Sequence, residues 1–247
     1  MRFGTFHLLP SPGVVPGELR YAQTMEQVVL ADQAGFDVAW FAEHHFSDYG
    51  ASPNPLLPIV KAAGLTKRIT FGQAIIVVTL WHPLRLAEDI AVTDILVDGR
   101  FEIGIGRGYQ HYEFQGFDTP LDQSREMFEE AVALMLKAWT KEDFTHAGQH
   151  WRVPTPITVL PKPLQKPHPP IWVATSSRET LAWTARQGYA PICSGNAHTV
   201  ESIARLRAFF AEEVAAARAN VSTAPTTADR FGVLRYTYVT DTDDEAL

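Results

Sequence analysis

Three short clusters in this sequence hold residue types that can do chemistry. The first is Glu43-His44-His45-Phe46, directly behind a strand-like segment. Histidine and glutamate ligate metals, so a zinc hydrolase is one reading. The spacing opposes it, because neighbouring strand residues point to opposite faces and His44 and His45 do not share an ion as a His-x-His pair would. A terminal loop relaxes that constraint. Two satisfied core histidines are a second reading. A third is a neutral imidazole at a strand end, suited to general-base work near pH 7. The second cluster is Gly104-Ile105-Gly106-Arg107-Gly108. A dinucleotide fingerprint needs a helix to begin at once, whereas the next clear helical pattern starts near Ser124. The glycines instead admit a flat ring or a phosphate close to the backbone. Arg107 offers fixed charge and a planar donor fork to an anion, or else a surface ion pair. In the third cluster, Ser176 and Glu179 read as a capping box. The further hydroxyls of Thr175, Ser177 and Thr180 beside a helix N-terminus read as a phosphate site.

The elements that must position these clusters alternate. Strand-like Arg2 to Leu9 precedes a helix from Glu18 to Gln33, with Met25, Val28 and Val29 on one face and Gly35 as its stop. A strand from Phe36 to Phe41 and a short helix from Pro55 to Ala63 follow. Ile69 to Val78 is β-branched and nearly all apolar, as a strand buried on both faces should be. A helix from Leu84 to Val97 closes at Asp98-Gly99. The fourth strand runs from Phe101 to Ile105 and the fourth helix from Ser124 to Trp139. Residues 140–170 hold prolines 154, 156, 161, 163, 167, 169 and 170 and little periodicity, which marks an insertion or a lid. Alternation resumes with strand Ile171 to Thr175, helix Ser177 to Gln187 and strand Ala190 to Ser194. The helix from Thr199 to Arg218 places Ile203, Leu206, Phe210 and Val214 on one face. A seventh strand spans Phe231 to Thr240, and Asp241 to Leu247 reads as the start of a helix. Repeated β-then-α units imply parallel strands with right-handed crossovers. Polar residues recur at the C-terminal ends of several strands, which favours an α/β (β/α)8 TIM barrel over an open doubly wound sheet. The expectation is one barrel domain over 1–247, truncated after the seventh strand, with its last helix-strand-helix missing.

Composition narrows the function. The chain has 247 residues, 46% hydrophobic and 20% charged, with net charge −7. That balance suits a large core and argues against a reader of the nucleic-acid backbone. The one cysteine, Cys193, excludes an internal disulfide. No secretory signal opens the chain, and its longest apolar stretch, Ala74 to Leu80, is far shorter than the roughly 20 residues of a membrane span. A cytoplasmic protein, with neither nucleic acid nor membrane as partner, is expected.

Taken in order, the motifs resemble the bacterial luciferase-like, flavin-dependent monooxygenase family, the catalytic α subunit of bacterial luciferase most of all. The likeness is carried by Met1-Arg2-Phe3-Gly4, by Gly35-Phe36-Asp37-Val38-Ala39-Trp40 leading into Glu43-His44-His45-Phe46, and by Gly72-Gln73-Ala74-Ile75-Ile76-Val77. His82-Pro83-Leu84-Arg85-Leu86-Ala87-Glu88-Asp89, Gly99-Arg100-Phe101, Arg107-Gly108 and the turn at 175–180 follow in the same order. The resemblance covers essentially the whole chain. It implies a barrel that takes reduced FMN, delivered by a separate flavin reductase, and uses O2 to oxidise a small organic substrate such as an aldehyde through a flavin hydroperoxide. It also implies His44 as active-site base within Glu43-His44-His45. Arg107 with Thr175, Ser176, Ser177 and Thr180 are implied as phosphate anchors, Ala74-Ile75 as a cis dipeptide beneath the ring, and Tyr109 beside the ring through its backbone. A homodimer or heterodimer is implied, and no metal. Gly106 stands where luciferase α subunits carry a reactive cysteine, which argues against light emission. Two alternatives stay open within the resemblance: hydride transfer with a reduced deazaflavin, and a non-catalytic flavin-binding partner subunit.

Overall fold

The computed structural model describes residues 1–10, 15–195, 198–220, 227–242 and 245. The chain divides into two units, Met1–Ile171 and Trp172–Leu247.

In the first unit β1 (Gly4–His7), α1 (Gly17–Ala34), β2 (Val38–Phe41), α2 (Leu56–Ala63), β3 (Thr70–Gln73) and β4 (Ile76–Val77) come first. Next come α3 (Pro83–Leu96), β5 (Phe101–Gly106), α4 (His111–Gly116), α5 (Ser124–Thr140), β6 (Phe144–Ala147) and β7 (Arg152–Ile157). The strands β1, β2, β3 and β5 lie side by side and parallel, in the registers Gly4↔Val38, Val38↔Thr70 and Phe71↔Phe101. Every residue of β5 is buried, with Phe101, Ile103 and Ile105 apolar and the Glu102 carboxylate paired to Arg2. Helix α1 turns Arg20, Thr24, Val28 and Ala31 inward at helical spacing, while Met25 and Val29 are half-buried. Helix α3 starts on Pro83, where a missing N–H costs nothing, and ends before Asp98-Gly99, both left-handed.

Three expectations change here. The strand read over Ile69 to Val78 is broken: β3 stops at Gln73, the Ala74–Ile75 peptide is cis, and after β4 the chain tightens into a 3₁₀ turn, Val78–Leu80. The glycine run is followed by a short helix, α4, well before Ser124. The Pro-rich segment holds an antiparallel hairpin, β6 with β7, paired through Val153↔His146 and Arg152↔Ala147. That segment joins the end of α5 to the start of the next strand, so it is a helix-to-strand connection. Its anchors agree. Lys162 Nζ donates to the Ala138 and Lys141 carbonyls at the end of α5, at 2.8 and 2.6 Å. Gln165 bonds Asp94 at the end of α3 and the Phe101 carbonyl at the start of β5. The strand C-termini, where a barrel places its chemistry, are at the other end of β5.

The second unit contains β8 (Ile171–Ala174) from Trp172 onward, α6 (Arg178–Arg186), β9 (Ala190–Ser194), α7 (Val200–Asn220) and β10 (Gly232–Leu234). Its strands are also parallel, Trp172↔Ala190 and Ile192↔Gly232. Phe210 and Val214 of α7 join Leu181, Ala185, Cys193 and Ala228 in its core, with Ile203 and Leu206 packed against them. The last strand is shorter than the Phe231 to Thr240 expected. Beyond Leu234 its apolar residues Tyr236, Tyr238 and Val239 are exposed. Of the helix expected over Asp241 to Leu247, residues 243, 244, 246 and 247 lie outside the described residues. Parallel strands alternating with helices, as in β1 to α1, β2 to α2, β5 to α4, β8 to α6 and β9 to α7, define the fold class as the (β/α)8 TIM barrel. Among the described residues no helix is long and apolar enough to cross a membrane.

Candidate functional site

At the C-terminal end of β2 the chain enters Glu43-His44-His45 with all three side chains buried. The two imidazoles do not converge. His44 Nδ1 meets Glu113 Oε1 of α4 at 2.9 Å, and the same oxygen accepts the His45 amide at 3.0 Å. His45 Nε2 turns to Glu43 Oε1 at 3.0 Å. Among the described residues no group of three His, Cys, Asp or Glu side chains is placed to hold a metal ion. Glu113 was invisible to the sequence reading: it lies 69 residues from His44 on a helix of six residues without clear periodicity. A Glu113 oxygen that already accepts one N–H is an acceptor toward His44 as well. That pairing suits the tautomer with the ring proton on Nδ1 and Nε2 left as the basic nitrogen.

Glu43 is 2% exposed. Its Oε1 also accepts from Trp81 Nε1 at 2.9 Å, and Oε2 accepts from the Val77 amide at 3.0 Å. Burial raises its pKa despite these donors. Around the pair stand aromatic rings. Tyr49 packs edge-on against His44 with centroids 4.7 Å apart, and Phe117 packs edge-on against His45 at 4.7 Å. Phe46 is 65% exposed with φ at 57°, a region aromatic residues rarely adopt, and its ring rests on Phe117. Desolvation, reinforced by Tyr49, pushes the Tyr109 phenol up to about 12, so it remains a hydrogen-bond donor at neutral pH.

Ala74 and Ile75 lie at the end of β3, and β4 then pairs with β5 as Ile76↔Ile105 and Val77↔Gly106. Gly106 has a packing reason to lack a side chain: a Cβ there would run into the Ile75 side chain. Arg107 follows β5 and is exposed. Its carbonyl accepts from Thr79 Oγ1 at 2.9 Å, while its guanidinium has no ion pair or hydrogen bond among the described residues. The first unit thus brings together Glu43, His44, His45 and Glu113, and links Ala74-Ile75, Gly106 and Arg107 through β4, whose Val77 amide Glu43 accepts.

In the second unit, Thr175 to Thr180 form a connected turn between β8 and α6. Ser177, not Ser176, is the N-cap. Its Oγ accepts the Thr180 amide at 3.2 Å and donates to Thr180 Oγ1 at 3.0 Å, and its own amide donates to Thr175 Oγ1 at 3.1 Å. The frame moves by one because the chain stays extended through Ser177, with helical geometry starting at Arg178. The capping pair Ser176/Glu179 is thereby replaced by Ser177/Thr180. Burial pushes the Cys193 thiol, beside Ser176, up to about 11.

A parallel β/α architecture, with a buried His-carboxylate pair at one strand end and an exposed arginine without a side-chain partner among the described residues after another, defines an α/β-barrel protein. The model of luciferase-like monooxygenases matches residues 1–247, and the chain belongs to that family. An uncharacterized protein of Sinorhizobium fredii, y4vJ, is 38% identical over 84% of this chain and 59% of its own length. The oxygenase component of a flavin-dependent trigonelline monooxygenase from Acinetobacter baylyi is 31% identical over 92% of this chain and 61% of its own. The chain therefore spans about three fifths of these relatives. Among solved structures, the monooxygenase RslO1 from Streptomyces bottropensis superposes with a TM-score of 0.83 at 30% identity, over 88% of this chain and 67% of that one. The oxygenating constituent of 3,6-diketocamphane monooxygenase from Pseudomonas putida, in complex with FMN, shares the fold with a TM-score of 0.87 at 23% identity, over 99% of this chain and 69% of that one.

Proposed function

We propose that this chain is the oxygenase part of a two-component flavin-dependent monooxygenase that oxidises a small organic substrate with reduced FMN and O2. The observation that carries the reading is Arg107: an exposed guanidinium without a side-chain partner among the described residues, set on a strand end of the unit that also holds the His44–Glu113 pair. The residues fit the cofactor. Arg107 offers a doubly donating fork to a phosphate. Ala74 and Ile75 offer an apolar surface to a flat ring, and the first-turn amides of α6, in its own unit, offer another anion site. Reduced FMN, when bound, would supply the electrons that activate O2, one oxygen atom going to the substrate and the other to water.

The protein's own part is binding, orientation and proton handling. Nε2 of His44 takes a proton from the substrate or returns one, while Glu113 fixes the tautomer that leaves Nε2 free. Phe46, Tyr49 and Phe117 keep bulk water from the imidazoles. A separate reductase as the source of reduced flavin fits the relative named as an oxygenase component. Assembly as a homodimer or heterodimer and a cytoplasmic location complete the reading.

The test compares FMN with riboflavin. Arg107→Ala should weaken FMN about 10- to 100-fold, as loss of a charge-assisted bond implies, and riboflavin far less. Equal losses would remove Arg107 from the phosphate role. Preference for a reduced deazaflavin over reduced FMN, with no O2 uptake, would replace oxygenation with hydride transfer.

A further inference from the structure

Glu43 sits beside the proposed base, yet its carboxylate is fully engaged. It bonds His45 Nε2 in its own loop, and the Val77 amide and Trp81 Nε1 in a second stretch of chain. With 2% of its surface exposed, neither oxygen is presented to a substrate. The bonding runs on from there. Ile76 and Val77 pair with Ile105 and Gly106, Thr79 Oγ1 holds the Arg107 carbonyl at 2.9 Å, and the Ile75 side chain occupies the space in front of Gly106. One carboxylate therefore ties the His44-His45 loop to the stretch carrying Ala74-Ile75 and, through that stretch, to the backbone of Arg107.

We propose that Glu43 is a positioning residue whose side chain fixes residues 74–81, and with them the Ala74-Ile75 dipeptide and the Arg107 backbone, against the His44-His45 loop. The proposal rests on the FMN reading only in naming flavin as the group that senses this placement. A catalytic acid or base would need an oxygen free to meet the reacting atoms, and Glu43 has both oxygens bonded inside the protein. Glutamine at this position keeps the volume, but its amide nitrogen must face either the Val77 N–H or the Trp81 N–H. At least one buried donor loses its partner in either orientation.

Amide hydrogen exchange on the flavin-free chain tests the placement directly. Glu43→Gln should speed exchange about tenfold at Val77 and across 76–79 and 105–107, with β1 unchanged, as the loss of one hydrogen bond implies. Flavin titration supplies the second readout. FMN and riboflavin should weaken by the same factor, about tenfold, unlike the phosphate-selective loss expected from Arg107→Ala. Turnover should fall through flavin affinity, so that saturating FMN restores most of it. Trp81→Phe, which removes one of the three donors, should act in the same direction and not add to Glu43→Gln; it carries the same measurements if the glutamine variant does not fold. Unchanged exchange in both variants overturns the proposal. So does turnover lost at saturating FMN with flavin affinity intact, which would make Glu43 catalytic. A wild-type chain that binds neither FMN nor riboflavin refutes the proposed function instead, and exchange alone then decides the role of Glu43.

Discussion

Replacing Glu113 by glutamine isolates the charge behind His44. Glu113 is 1% exposed, and its Oε1 serves both the His44 ring at 2.9 Å and the His45 amide at 3.0 Å. A glutamine oxygen can accept both bonds with the same shape, so the variant should fold. What disappears is charge assistance. Charged hydrogen bonds contribute about 1.5–3 kcal/mol and neutral ones about 0.5–1.5 kcal/mol, so the pair should weaken by about 1–1.5 kcal/mol. That difference corresponds to a fall in turnover of about 5- to 15-fold wherever the His44 proton transfer limits the rate. Alanine at 113 goes further, stranding the buried His45 N–H and leaving a void, and should cost about 2–4 kcal/mol of stability. Turnover with reduced FMN, a flavin titration as control, and ¹⁵N chemical shifts of the His44 ring form the assay. In the wild type the shifts should show the proton on Nδ1, and Glu113→Gln should lower that tautomer's share while leaving flavin affinity within about twofold. If turnover and tautomer are unchanged, or flavin affinity falls as far as turnover, Glu113 does not act through His44.

Two further outcomes follow from packing and burial. Gly106→Ala places a methyl group against Ile75 and should cost about 1–3 kcal/mol in urea denaturation, with Ile75→Ala restoring part of it; no loss would mean that the two sites do not touch. Burial holds the His7 imidazole at about 4 instead of 6.5, so the unfolded chain binds the proton first as pH falls. The contribution of His7 is complete above pH 6.5 and is lost toward pH 4, by up to ~3 kcal/mol. Parallel stability profiles for wild type and His7→Gln between pH 7.5 and 4 would refute that.

The β/α order was legible because apolar runs, helical stripes and Gly stops agree along the chain. The helix carrying Phe210 and Val214 is an instance, and both side chains reach the core of their unit. His44 and His45 could be singled out because adjacent histidines at a strand end are unusual and polar. Their true partners could not. Glu113 is joined to His44 only by tertiary folding, and the Glu43 contacts to Val77 and Trp81 depend on how the chain bends after Ala74-Ile75. The β6–β7 hairpin was hidden by Pro154 and Pro156, which break the appearance of a strand while a two-stranded ribbon tolerates them at its edges. The capping residue was missed by one position because strand β8 ends extended and delays the helix to Arg178.

The hairpin tip is fastened by the Glu130 carboxylate of α5, which accepts the main-chain amides of Gln149, His150 and Trp151 at 3.0, 3.0 and 2.9 Å. Because the fastening reads backbone and not side chains, residues 149 and 150 can change identity without loosening it. Gly148 cannot, since a methyl group there would press on that carboxylate. Positions 149 and 150 thus offer an attachment point for a label or surface tether that leaves the fastening in place.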